Sequence, residues 1–153
     1  MQTALLNALQ LRRPLIRRRW EDLLRAERAS TPLGNPDALV HLLDWTLDEI
    51  FRTLHALPSR RKSLRTVALD DDDCPCGRNP LITYFAAGEQ AMQESLILAQ
   101  AEGGPLPALE RDAALDEVNF ALRHIARREI HAFCSLCRFR ETACLPCAFE
   151  AHV

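Results

Sequence analysis

The stretch NPLITYFAAGEQAMQESLILAQAEGGP, residues 79–105, opens on Asn-Pro and closes on Gly-Gly-Pro. Asparagine caps helices well, and proline suits the first helical turn, where its missing N–H would have no partner. The glycines mark the other end, because glycine readily takes the backbone conformations that stop a helix. Between these signals Ile82, Phe85, Met92, Leu96 and Ala99 recur at helical spacing. The stretch therefore predicts a helix that begins at Asn79-Pro80 and stops at Gly103-Gly104. A second helix is predicted over residues 107–137, with Leu115, Val118, Leu122 and Ile125 as its stripe, continued by Ile130 and Phe133. The joint is short, so these two helices should be antiparallel neighbours.

Two helices of similar length, joined tightly, bring their open ends together. Cys76 lies about 27 residues before Gly103 and Cys134 about 30 after Gly104, distances that nearly match at ~1.5 Å of rise per residue. The CPC pair (Cys74, Cys76) and the CSLC pair (Cys134, Cys137) are thus expected at one end of the molecule. The CLPC pair (Cys144, Cys147) follows closely enough to reach the same place. Three close pairs are the usual way to supply thiolates to a metal, and zinc is the first candidate, being held by four ligands in a tetrahedron. His131 lies one turn before Cys134 and is a further candidate ligand or supporting group. Six thiols exceed one tetrahedron. An iron–sulfur cluster, which also uses four cysteinates, is the alternative cofactor. Disulfides within the CxxC pairs, and cysteines serving only as small core residues, are the blander readings.

Two short resemblances touch these pairs. CPCG resembles the opening of the SEC-C zinc motif, and CLPC resembles the thioredoxin-type redox motif. Each covers four residues. The SEC-C motif continues differently from RNPLITYF, and the βαβ pattern of a thioredoxin-type site is missing. Directly before CPCG stand Asp70 to Asp73. Four carboxylates raise the energy of ionised thiols beside them, and a bound cation or Arg78 would relieve that repulsion.

Outward from this hairpin the helical period continues. Leu43, Leu47, Ile50, Leu54 and Leu57 form a stripe, with Asn35, Pro36 and Asp37 as start signals, so one helix is expected over residues 36–57. Another is expected over residues 14–29, with Ile16, Trp20, Leu23 and Leu24 inward. Pro14 either starts it or kinks it away from a short helix over residues 3–11. No segment alternates convincingly with period two. The fold expected is all-α: a single domain over 1–153, an antiparallel bundle of four main helices with a cysteine cluster at one end. A long connecting loop spans 58–78, holding the basic cluster Arg60, Arg61, Lys62 and Arg65, and a cysteine-rich tail spans 138–153.

The chain has 153 residues, 48% of them apolar, enough for one core without disulfides. Net charge is −2, so no global field favours nucleic acid. No apolar run reaches the ~18 residues of a membrane span. The first residues place their arginines after the apolar part, the reverse of a secretory signal, so the expected compartment is the reducing cytoplasm. There is no phosphate loop, no HExxH and no nucleophile elbow. Glu129 and Glu141 lie near the thiols, whereas His41, His55 and His124 read as ordinary helical histidines. The function expected is a small bacterial-type regulatory or adaptor protein with structural zinc, acting on a protein partner and not as an enzyme. A homodimer is left open. The alternative is a redox or metal sensor using the same cysteines.

Overall fold

The computed structural model describes residues 1–27, 34–57 and 79–136, and every regular element among them is helical. Helix α1 (Thr3–Leu11) and α2 (Arg13–Ala26) are separated only by Arg12. Pro14 stands in the first turn of α2, where its ring and missing N–H do no harm, so it starts the helix instead of kinking it. α2 ends at Ala26, earlier than the expected residue 29: its apolar stripe ends at Leu24 and the backbone turns extended at Glu27.

The expected helix over 36–57 is divided. It consists of α3 (Pro36–Leu39), a 3₁₀ turn at Val40–Leu42, and α4 (Leu43–Ala56). Leu39 and Leu43 are both buried across the tightened turn, so the apolar stripe runs through it. That continuity hides the break from a reading of periodicity. α5 (Pro80–Glu102) begins where Asn79 caps it, its side chain accepting the Leu81 N–H at 2.9 Å. It stops at Gly103. Gly104 then adopts φ +92, a conformation that glycine takes without strain, and α6 (Ala108–Ser135) follows. Ile82, expected inward, is 44% exposed. α5 is apolar around much of its circumference, so its period does not select a face. Leu81 and Tyr84 take the inner positions instead.

Cross-helix bonds fix the directions. Gln100 reaches the Arg111 carbonyl, Gln93 reaches Asn119, Arg123 reaches Glu89, and Asn79 reaches the Ile130 carbonyl. As one number rises the other falls, so α5 and α6 are antiparallel. Arg12 with Glu102, Arg19 with Glu94 and Trp20 with Tyr84 set α2 antiparallel to α5 in the same way. Arg13–Asp48 and Arg17–Asp44 do so for α2 and α4, and Arg25–Asp37 continues the same direction onto α3. α1 crosses one end, its Gln2 against Glu110 of α6 and its Gln10 against His55 of α4. These contacts accord with the bundle expected of the sequence.

Leu9, Ile16, Trp20, Leu43, Leu47, Ile50, Met92, Leu96, Leu122 and Ile125 are fully enclosed. Each such side chain is worth roughly 1.5–3 kcal/mol of transfer free energy, whereas an exposed ion pair is worth about 0–1 kcal/mol. Apolar burial, not the arginine–carboxylate pairs, holds the helices together. One of these pairs bears on pH dependence. The Arg19 guanidinium, then Gln90, holds the Glu94 carboxyl below its ordinary value of 4.5. That small contribution is present above the ordinary value and fades as pH falls through the lowered one.

The tightest contact is between Trp20 and Gly88. A Cβ built on Gly88 would lie 2.2 Å from Trp20 Cζ2. The indole N–H donates to the Tyr84 carbonyl at 2.8 Å, and the Trp20 and Tyr84 rings lie 4.9 Å apart. The Tyr84 hydroxyl in turn shares a 2.9 Å hydrogen bond with Thr46 of α4. Burial pushes the Tyr84 phenol up, so it stays neutral. Gly88→Ala is expected to destabilise the fold. The gain in helix propensity is about 1 kcal/mol, while overpacking a filled core costs roughly 1–3 kcal/mol. Here the obstruction is a buried ring held by its own N–H right beside the point of contact, so overpacking should win. Urea unfolding checks this, and a raised midpoint would show that the indole yields.

Candidate functional site

The sequence points to the open end of the α5–α6 hairpin, and one buried side chain joins the two helices there. Asn79 is 4% exposed. Its oxygen caps α5 through the Leu81 N–H. Its amide nitrogen donates to the Ile130 carbonyl at 3.2 Å and to the Cys134 sulfur at 3.2 Å. An aspartate or serine could cap the helix as well, but only an amide offers the cap acceptor and two donors from one planar group. The last turns of α6 are thereby held against the first turn of α5.

Cys134 sits on the penultimate residue of α6 and belongs to the core. His131, one turn earlier, is exposed. Three residues advance a helix by about 300°, leaving about 60° between the two side chains. At the edge of a buried face that angle separates an enclosed group from a solvated one. Cys74, Cys76, Cys137, Cys144 and Cys147 lie outside the described residues, as do the Asp70–Asp73 run, Arg78, Glu141, the loop 58–78 and the tail 138–153. Among the described residues no group of three or more His, Cys, Asp or Glu could hold a metal. Cys134 is the one described member of the six cysteines. Its surroundings suit a metal thiolate in one respect. An amide N–H directed at the sulfur is the kind of supporting bond that orients a ligand and offsets its charge.

The other polar groups singled out from sequence have structural partners. Glu129 pairs with Arg128 at 2.9 Å. His41, His55 and His124 are exposed on their helices, with His124 stacked on Phe120 at 6.0 Å. Glu89 accepts from Arg123 at 2.8 Å and from Gln93 at 3.2 Å, forming a polar ladder along the α5–α6 seam. The Arg123 Nε is buried and has no hydrogen-bond partner. Sequence reasoning named Asn79 only as a cap. Its second role was foreshadowed by the hairpin itself, which places the residue before α5 opposite the end of α6.

Among the described residues no helix is long and apolar enough to cross a membrane. Comparison with protein-family models, with curated proteins and with solved structures finds no match to the chain.

Asn79→Asp keeps the cap acceptor but removes both donors and sets a carboxylate against the Ile130 carbonyl and the Cys134 sulfur. A loss of about 1–3 kcal/mol is expected, with faster amide hydrogen exchange across residues 130–135. Unchanged exchange there would mean that packing, not this amide, fixes the end of α6.

Proposed function

We propose that this protein is a single-domain helical-bundle regulator or adaptor in which a cysteine-ligated zinc ion ties the 58–78 loop and the 138–153 tail to the open end of the α5–α6 hairpin. It acts by binding a protein partner, in a cytoplasmic setting, without chemistry of its own. The reading rests on the 3.2 Å bond between Asn79 and Cys134. Cys76 precedes Asn79 by three residues and Cys137 follows Cys134 by three. A chain extends at most ~3.6 Å per residue. Both thiols therefore start within roughly 11 Å of a residue at this junction. Four sulfurs from CPC and CSLC complete one zinc tetrahedron, with Cys144 and Cys147 as further candidates. The positive ion also offsets the repulsion that Asp70–Asp73 impose on neighbouring thiolates. Thiolates bound this way convert binding energy into folding energy, so the metal would add stability at this end of the bundle.

A sensor built on the same cysteines is favoured by one observation: six thiols exceed what one ion needs. Metal analysis and absorption of anaerobically purified protein separate the readings. Stoichiometric zinc without visible colour is the expected result. Visible charge-transfer bands with iron and sulfide would favour the cluster, and protein with no metal at all would overturn both metal readings. Cys134→Ser and Cys137→Ser should each release the zinc and lower the melting temperature. The two together separate the metal from packing, because Cys137 lies beyond the end of α6. Full zinc retention by both variants would sink the shared site.

A further inference from the structure

α5 carries no basic residue, and its three carboxylates are already engaged: Glu89 by Arg123, Glu94 by Arg19 and Glu102 by Arg12. The other exposed positions of the helix include Thr83, Ala86, Gln90, Ile97, Leu98 and Ala101, none charged. A helix facing solvent normally shows charge on its outer side, and one apolar around its circumference is normally covered. Ile97 is 59% exposed and Leu98 is 53% exposed.

The neighbouring helix continues this surface. Leu15 of α2, 58% exposed, lies between Arg12 and Arg19 in sequence. Leu98 lies between Glu94 and Glu102, the partners of those same arginines. Leu98 therefore lies beside the α2–α5 seam between two ion pairs, one bidentate at 2.7 and 3.0 Å, and Leu15 lies on the outward side of the arginines. The charge layout has a direction. The α2 side of the seam is net positive, with Arg12, Arg19 and the exposed Arg18 outweighing Asp22, and the α5 side is negative, with Glu94 and Glu102.

We propose that this seam is a self-association surface on which a second copy of the chain docks with two-fold symmetry. A two-fold axis parallel to the seam, lying in the plane of contact, lays the arginine side of one copy over the carboxylate side of the other. Leu98 of each copy lies beside the axis. Such a surface is its own complement, the property a closed two-fold interface requires. A dissimilar partner would need its own matched charge stripe, whereas a second copy supplies one automatically. Along α5 the seam at Leu98 is about 28 Å from Asn79, so the inference stands apart from the cysteine site.

The test is sedimentation analysis of the full chain, with its metal as purified, from low micromolar to near-millimolar concentration. A monomer–dimer equilibrium is expected. Leu98→Glu, at an exposed position that leaves the core alone, should weaken it about tenfold or more. Arg19→Glu alone and Glu94→Arg alone should each weaken it too, because each sets like charges across the axis. Mixing those two variants should restore dimer, since each then faces the opposite charge. Circular dichroism confirms that each variant stays helical. A wild-type chain monomeric throughout, a dimer indifferent to Leu98→Glu, or a mixture that stays monomeric would each overturn the proposal.

Discussion

Trp20 lies against α5 at the one residue that has no side chain. Gly88 lets the indole approach the helix backbone, and the indole N–H finds its partner in the carbonyl of Tyr84, one turn earlier on the same helix. Tyr84 then passes the connection to Thr46. Three helices far apart in sequence thus meet through one filled volume and two satisfied polar groups. An indole N–H left without an acceptor in that interior would cost about 1–3 kcal/mol, so the position of Trp20 along α5 is fixed as well as its depth. The antiparallel ion pairs further along the same seam, Arg19–Glu94 and Arg12–Glu102, follow from that register and do not set it.

The second junction is at the other edge of the hairpin. Asn79 opens α5 as its cap and bonds to the backbone and sulfur of α6. A buried amide usually specifies structure through the penalty for leaving any of its groups unpaired. Here that penalty acts on the relative slide of two long helices. It also holds Cys134 near the point where the chain leaves for CPC on one side and CLPC on the other. The proposed thiolate site and the proposed self-association seam occupy different stretches of α5. One polypeptide can thus carry a metal-braced end and a paired flank without either interfering with the other.

Much of this fold was legible because its signals are local. Asn79-Pro80, Gly103-Gly104 and Pro14 each act on the turn in which they stand, so the helix boundaries near them follow from the sequence. The 3₁₀ turn at Val40–Leu42 was not legible, since the apolar stripe continues through it. Nor was the outward face of Ile82, because a helix apolar on most sides gives periodicity nothing to choose between. The seat of Trp20 on Gly88 depends on residues far apart in the chain, and no local rule pairs a tryptophan with a distant glycine. Of the candidate site, equal spacing about Gly103-Gly104 predicted that the ends of α5 and α6 would meet. Asn79 and Cys134 do meet there. What spacing could not give is the side on which His131 falls, because a turn of helix at the rim of a core separates solvent from interior by a modest angle.

The link Gly103–Pro107 has a further meaning in terms of chain entropy. Gly104 at φ +92 reverses the chain within a few residues, so α5 and α6 find each other by closing a very small loop. Bringing Trp20 to Tyr84 closes a loop of 64 residues. Loop-closure entropy grows with the logarithm of length, and this difference amounts to roughly 2 kcal/mol. Closing the hairpin is therefore less entropically demanding than docking α2 against it, and that docking carries the larger loop-closure cost of the two.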